Sequence, residues 1–169
     1  MKKMLFVMVM SLAVCACSSL TQAERAERDA KTALAVENAL AERRYKVEIS
    51  MMHPRRGSAV HVSRDFSLEV KGDTLVSYLP YFGRAYNVPY GGGKGLNFTA
   101  PISEYHTAKD HNGATLITMQ AVNEEDIYSF RLLIFPNGSS SIDLTSRERE
   151  PISYSGQMEA EFPVSIDER

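Results

Sequence analysis

The chain has 169 residues with a formal charge of −2 at pH 7, 44% hydrophobic residues and two cysteines. That length allows one domain with a core of its own, and the balanced charge offers no basic field for nucleic acid. The two cysteines are Cys15 and Cys17, at the end of an N-terminal leader; with Cys15 cleaved off and Cys17 lipidated or also removed, no thiol is expected for a disulfide, a metal cluster or a nucleophile.

The leader runs Met1-Lys2-Lys3, then an apolar stretch Met4–Val14 broken by Ser11. It is too short to span a bilayer and has the form of an export signal. Val14-Cys15-Ala16-Cys17 has the look of a bacterial lipoprotein box, with small Ala16 before the cut and Ser18-Ser19 after it. The expected organisation is a signal peptide over 1–16, lipidation at Cys17, a tether over 17–23 and one domain over 24–169. The partner this implies is a membrane, reached through the lipid anchor. Ordinary secretion with cleavage after Ala23 is the alternative.

Thr21 and Glu24 fit a capping box that opens a helix over Thr21–Tyr45. Its stripe Ala26, Ala30, Ala33, Leu34, Glu37, Leu40, Ala41, Tyr45 is mostly small, which suits close packing on a sheet. The period then changes to two. Lys46–Met52 alternates Val47, Ile49 and Met51 with polar residues and reads as a strand. Ala59–Ser63 is a short extended piece. Phe66–Val70 and Leu75–Leu79 flank Gly72-Asp73 as a type II′ hairpin, with Val70 facing Leu75 and Leu68 facing Ser77.

The most biased stretch is Pro80–Phe98, PYFGRAYNVPYGGGKGLNF. It carries Tyr81, Phe82, Tyr86 and Tyr90, then a glycine run with Lys94. A P-loop would need Gly at 88 and Ser or Thr at 95; the chain has Val88 and Gly95. The glycines therefore read as backbone freedom near a strand entry. The rings either close the core or, with Arg84 and Lys94, line a shallow cleft. The candidate binding loop is Tyr81, Arg84, Tyr86, Tyr90 and Lys94.

Beyond it, Leu96–Phe98 and Glu104–Lys109 are short strands around Pro101. Ala114–Val122 alternates Ile117, Met119 and Ala121. Ile127–Phe135 is the most apolar strand, and the Pro136–Ser139 turn leads into Ser140–Ser146. A two-residue turn would set Ile142 opposite Leu133, a bulged one opposite Leu132. Ile152–Glu161 is the last strand. The expected fold class is α+β: an N-terminal helix packed against a meandering antiparallel β-sheet of about eight strands.

His53, His61, His106 and His111 lack ligand-like spacing, so no metal is expected. No cofactor fingerprint and no nucleophile elbow is present. The expectation is a non-enzymatic envelope module that binds or scaffolds an unidentified protein, glycan or small molecule. The alternative is a small envelope hydrolase or transferase with a spatially assembled site.

The leader, the helix, Val70-Lys71-Gly72-Asp73, and Leu79-Pro80-Tyr81-Phe82-Gly83-Arg84-Ala85-Tyr86 with Pro89-Tyr90-Gly91-Gly92 together resemble a family of Bacteroidetes lipoproteins, domain of unknown function 4251. The resemblance covers most of the mature chain and carries no catalytic residues. It implies a cell-envelope address at the outer membrane and a helix-plus-sheet fold similar to β-lactamase inhibitor proteins. It also implies that Asp73-Thr74-Leu75 resembles the short O-glycosylation motif of that phylum, at Thr74.

Overall fold

The computed structural model describes residues 21–63, 65–86 and 96–159. One helix, α1 (Gln22–Ala41), is followed by nine strands: β1 (Arg44–Pro54), β2 (Val60–His61), β3 (Ser67–Lys71), β4 (Thr74–Leu79), β5 (Leu96–Lys109), β6 (Thr115–Val122), β7 (Ile127–Ile134), β8 (Ser139–Ser146) and β9 (Ile152–Glu159).

The expected open sheet with a helix on one face is wrong. Every strand pairing is antiparallel, and β9 returns to pair with β1 from Lys46↔Glu159 to Pro54↔Ile152. β1 and β3–β9 thus close into an eight-stranded barrel, with β2 appended outside on Met51 and Met52. The helix-plus-sheet form implied by the likeness to β-lactamase inhibitor proteins falls with it. Alternation of apolar and polar residues is the same in a one-sided sheet and in a barrel wall, so the strand pattern does not tell an open sheet from a closed one. Closure removes the edges that an open sheet would expose.

The inner face supplies the core. Tyr45, Val47, Leu68, Val70, Leu75, Ile117, Met119, Tyr128, Phe130, Leu132, Ile142 and Tyr154 are among its buried residues. Eight strands leave an interior that such side chains just fill. The outer face carries the polar partners, including Lys46, Glu48, Ser50, Glu69 and Arg131, the reverse of a membrane-spanning barrel's outward apolar band. Closure needs one glycine: a Cβ on Gly156 would run into the Glu48 carbonyl oxygen, beside the register shift between Ile49 and Met51.

The hairpin register is as expected, Leu68↔Ser77 and Val70↔Leu75. Gly72 has φ 61° and Asp73 is not among the positive-φ residues, as a type II′ turn requires. At the β7–β8 turn the bulged alternative holds. Gly138 takes φ 82° and Ile142 faces Leu132. Pro101 does not split two short strands, because β5 runs through it for 14 residues.

The capping box is present: Glu24 N–H donates to Thr21 Oγ1 (3.3 Å) and Thr21 N–H to Glu24 Oε2 (2.8 Å). That hydrogen bond from the Thr21 backbone holds the Glu24 carboxyl below its usual range. The helix stops at Ala41 and not at Tyr45, which is buried in β1. Of the expected stripe Leu40 is buried and Ala33 half-buried, whereas Leu34 stays 59% exposed, and Val36, outside the stripe, is the other buried residue. Residues 22–31 are exposed throughout. The last turns of α1 pack through Val36 and Leu40 onto the core at one end of the barrel, beside β1, with a small cavity left between the helix and Thr115, Ile134, Phe135 and Pro136.

Candidate functional site

The antiparallel order puts α1 and the β3–β4, β5–β6 and β7–β8 turns at one end, the helix end. The β4–β5, β6–β7 and β8–β9 connections gather at the other, the loop end. Three of the five residues of the candidate binding loop can be placed there; Tyr90 and Lys94 lie outside the described residues.

Leu79 and Tyr154 are buried, and the Tyr154 hydroxyl donates to Pro80 O (2.7 Å), fixing where the loop leaves β4. Burial raises the pKa of that phenol well above its ordinary value. Tyr81 is half-buried and donates its hydroxyl to Arg84 O (2.7 Å). The loop then pairs with the β8–β9 connection like a short strand. Tyr86 N–H donates to Glu148 O (2.7 Å), Glu150 N–H to Arg84 O (3.0 Å), and Ala85 bridges Arg149. Arg84 is exposed, and Phe82 and Tyr86 are 68% and 64% exposed. The four rings therefore do not all plug the core. Tyr81 packs inward, while Phe82 and Tyr86 face solvent from a backbone held in place.

Asp126 organises the neighbouring connections. It is 8% exposed, and its carboxylate accepts from the N–H groups of Ile127 (2.7 Å), Arg147 (3.2 Å) and Glu148 (3.2 Å). Asn123 Oδ1 accepts from Glu125 N–H (2.8 Å) and Asp126 N–H (2.9 Å), which closes the β6–β7 turn. No sequence signal marked Asp126 or Asn123 beyond their place in an acidic connection.

Beside this turn the wall is notched. β6 ends at Val122, whereas β5 begins at Leu96, above its own pairing with β6 at Ile102↔Ala121. The gap is a cavity of about 360 Å³ lined by Asn97, Phe98, Thr99, Pro101, Val122, Asn123, Glu124 and Glu125. Phe98 stacks on Tyr128 at 4.3 Å. Tyr128 is fully buried and its hydroxyl has no hydrogen-bond partner. Burial raises its pKa, and Arg149, Asn123, Asp126 and Glu125 are the groups around it that also bear on its ionisation. Arg149 has a side chain 11% exposed, with Nη2 3.9 Å from Glu125 Oε2 and its guanidinium 5.4 Å from the Tyr81 ring centre. Its Nε is buried without a partner.

The remaining sequence candidates lie elsewhere. Thr74 opens β4 at the helix end, half-buried and paired with Lys71. Cys17 lies outside the described residues. His53 bonds Ser155 Oγ (2.9 Å), and no group of three or more His, Cys, Asp or Glu suited to a metal occurs among the described residues.

A family model described as Domain of unknown function (DUF4251) matches residues 27–158. The chain belongs to this family. The match spans α1 through β9, so the DUF4251 unit is the barrel with its end helix. The crystal structure of a DUF4251 family protein from Bacteroides eggerthii is similar to this chain, with TM-score 0.60 and 16% identity, covering 78% of this chain and 89% of that one. At that identity the likeness concerns the fold. No curated protein matches the chain.

Proposed function

We propose that this DUF4251 chain is an envelope-anchored, non-enzymatic binding or scaffold module that presents its loop end to a partner. The observation that carries this is the pair of exposed rings, Phe82 and Tyr86, on a loop strapped by backbone hydrogen bonds to the β8–β9 connection. Rigid exposed aromatics contribute contact area at low entropic cost and are enriched at interaction sites. The alternative hydrolase or transferase asks for convergent carboxylates or histidines. The notch offers Glu124 and Glu125 on its rim and no histidine lines it.

In this reading Cys17 carries the lipid at the outer membrane, and α1 enters the barrel at the end opposite the loops. Its exposed first half acts as a stalk. Secretion after Ala23 would leave the same domain unanchored, and Thr74 is a glycosylation position near the helix end. The test is a cross-linking pull-down from envelopes with wild type and with Phe82→Ala/Tyr86→Ala. Partner loss with unchanged thermal unfolding is expected, and full retention would sink the reading. Labelling with a lipid precursor checks the anchor, since a Cys17→Ala chain should incorporate none. The mass of the peptide spanning Thr74 checks the glycan.

A further inference from the structure

The notch has the form of a missing stretch of strand. Ile102 N–H donates to Asp73 O (2.8 Å), on the β4 side of β5. Backbone directions alternate along a strand. Ala100, Phe98 and Leu96 therefore also turn their N–H and C=O groups toward β4, their partners in register. Asn97, Thr99 and Pro101 turn theirs the other way; Pro101 lies opposite Val122, the last residue of β6, and Asn97 and Thr99 face the notch beyond it. The sequence agrees with this direction: Pro101, which has no N–H to give, stands at a position turned away from β4. The N–H and C=O groups of Asn97 and Thr99, two donors and two acceptors, thus face the cavity.

The floor and rim of the cavity are chemically distinct. Phe98 stacks on the buried Tyr128 ring beneath the lining, and Arg149 reaches Glu125 of the rim from the β8–β9 connection; the Tyr128 hydroxyl and the Arg149 Nε–H are both buried and both unpartnered. Buried donors are nearly always paired, so each marks a place where an acceptor fits. On the rim stand the exposed Glu124 and Glu125; the Glu125 carboxylate faces Arg149, with its side chain 28% exposed.

The geometry points to a slot for a short extended peptide that adds as a strand along Asn97–Pro101. Residues of the peptide opposite Asn97 and Thr99 form the main-chain hydrogen bonds, and their side chains face outward, where the rim favours Lys or Arg. The residue opposite Phe98 faces inward, and a carboxylate there meets Tyr128 Oη and Arg149 Nε. Main-chain pairing supplies affinity in this mode, and the alternating side chains supply selectivity. The inference names the partner class of the loop end and rests on the binding reading above, but not on the membrane anchor.

The probe is the peptide acetyl-Val-Lys-Glu-Lys-Val-amide, titrated onto the full chain by calorimetry. Saturable binding is expected. Methylating the two Lys amide nitrogens, which leaves the protein untouched, should abolish it. Replacing the central Glu by Leu should weaken it about tenfold, the scale of one charge-assisted hydrogen bond. Replacing both Lys by Glu should weaken it at least as much. Tyr128→Phe should lose about tenfold toward the Glu peptide and nothing toward the Leu peptide, a difference that a merely structural tyrosine would not produce. Equal binding of the methylated peptide overturns strand pairing. No binding of any peptide, or binding of simple sugars in its place, overturns the peptide class. If the peptides fail while Phe82→Ala/Tyr86→Ala still loses a partner, this inference falls and the binding reading stands.

Discussion

The two ends of the barrel are finished in opposite ways. At the helix end, Val36 and Leu40 of α1 join the core, and the buried Tyr45 hydroxyl meets the Tyr105 hydroxyl at 3.2 Å. Exposed Lys109 and Glu37 pair across α1 and β5, which lowers the Glu37 pKa through that hydrogen bond. At the loop end, backbone-to-side-chain bonds through Asp126 and Tyr154 hold the connections. Among the described residues, the buried side-chain atoms without partners are Tyr128 Oη, Ser146 Oγ and Arg149 Nε, and all lie there. Among the described residues the helix end satisfies its buried polar side chains and the loop end does not, and the peptide slot proposed above lies at the unsatisfied end. The cost of an unpaired buried donor is about 1–3 kcal/mol.

Several substitutions separate the two ends. The largest effect belongs to neither and tests the barrel they share. Gly156→Ala pushes a methyl into the β1 backbone at the seam and should cost about 3 kcal/mol or more, read as a fall in the denaturation midpoint. At the helix end, Leu40→Ala should cost about 2–3 kcal/mol by leaving a cavity over the core, with no change in peptide binding. At the loop end, Asp126→Ala removes the acceptor of three backbone N–H groups. It should cost about 2 kcal/mol and loosen the connection carrying Arg149, so hydrogen exchange at Arg147 and Glu148 should quicken first.

Tyr128→Phe sharpens the comparison most. Because the hydroxyl is buried without a partner, its removal should leave stability unchanged or raise it by up to about 1 kcal/mol. The corresponding loss at the helix end, Tyr45→Phe, breaks a hydroxyl pair and should be destabilising. A Tyr128→Phe chain that unfolds earlier than wild type would mean that the hydroxyl is satisfied after all.

The smallest effect is pH-dependent. The folded pKa of Glu24 is depressed, so its capping contribution is full above the ordinary carboxylate pKa and fades as pH falls through the folded value. Circular dichroism below about pH 4 should show loss of helix signal from the exposed first turns, with the barrel's unfolding temperature governed by other groups.

Local chemistry and periodicity made much of this readable. Thr21 and Glu24 announced the helix start, Gly72-Asp73 announced the hairpin and its register, and the alternation of Ile117, Met119 and Ala121 placed the buried face of β6. These features depend on neighbours within a few positions. The helix end was misplaced because Tyr45 satisfies helical spacing and strand alternation equally well, and burial in the barrel decided for the strand. The bulged β7–β8 turn was left between two registers, since only packing of Ile142 against the core selects Leu132 as its partner.

The candidate site was half legible. Aromatic bias marks the loop at Tyr81–Lys94, yet Phe82, an exposed ring among its described residues, does not stand out from the sequence beside Tyr81 and Arg84. Arg149, Tyr128 and Asp126 went unremarked because each is ordinary in its own segment. They meet only when β8 and β7 stand side by side at the loop end.

The sequence by itself determined the strands, the tight turns, the capped helix and the family, because each rests on local pattern. The tertiary structure alone decided that the sheet closes, through bonds such as Ser50 to Ser155, 105 positions apart. It also decided that β5 outruns β6 and leaves a notch. Both follow from strand length and twist summed around a ring, and no local window of residues contains that sum.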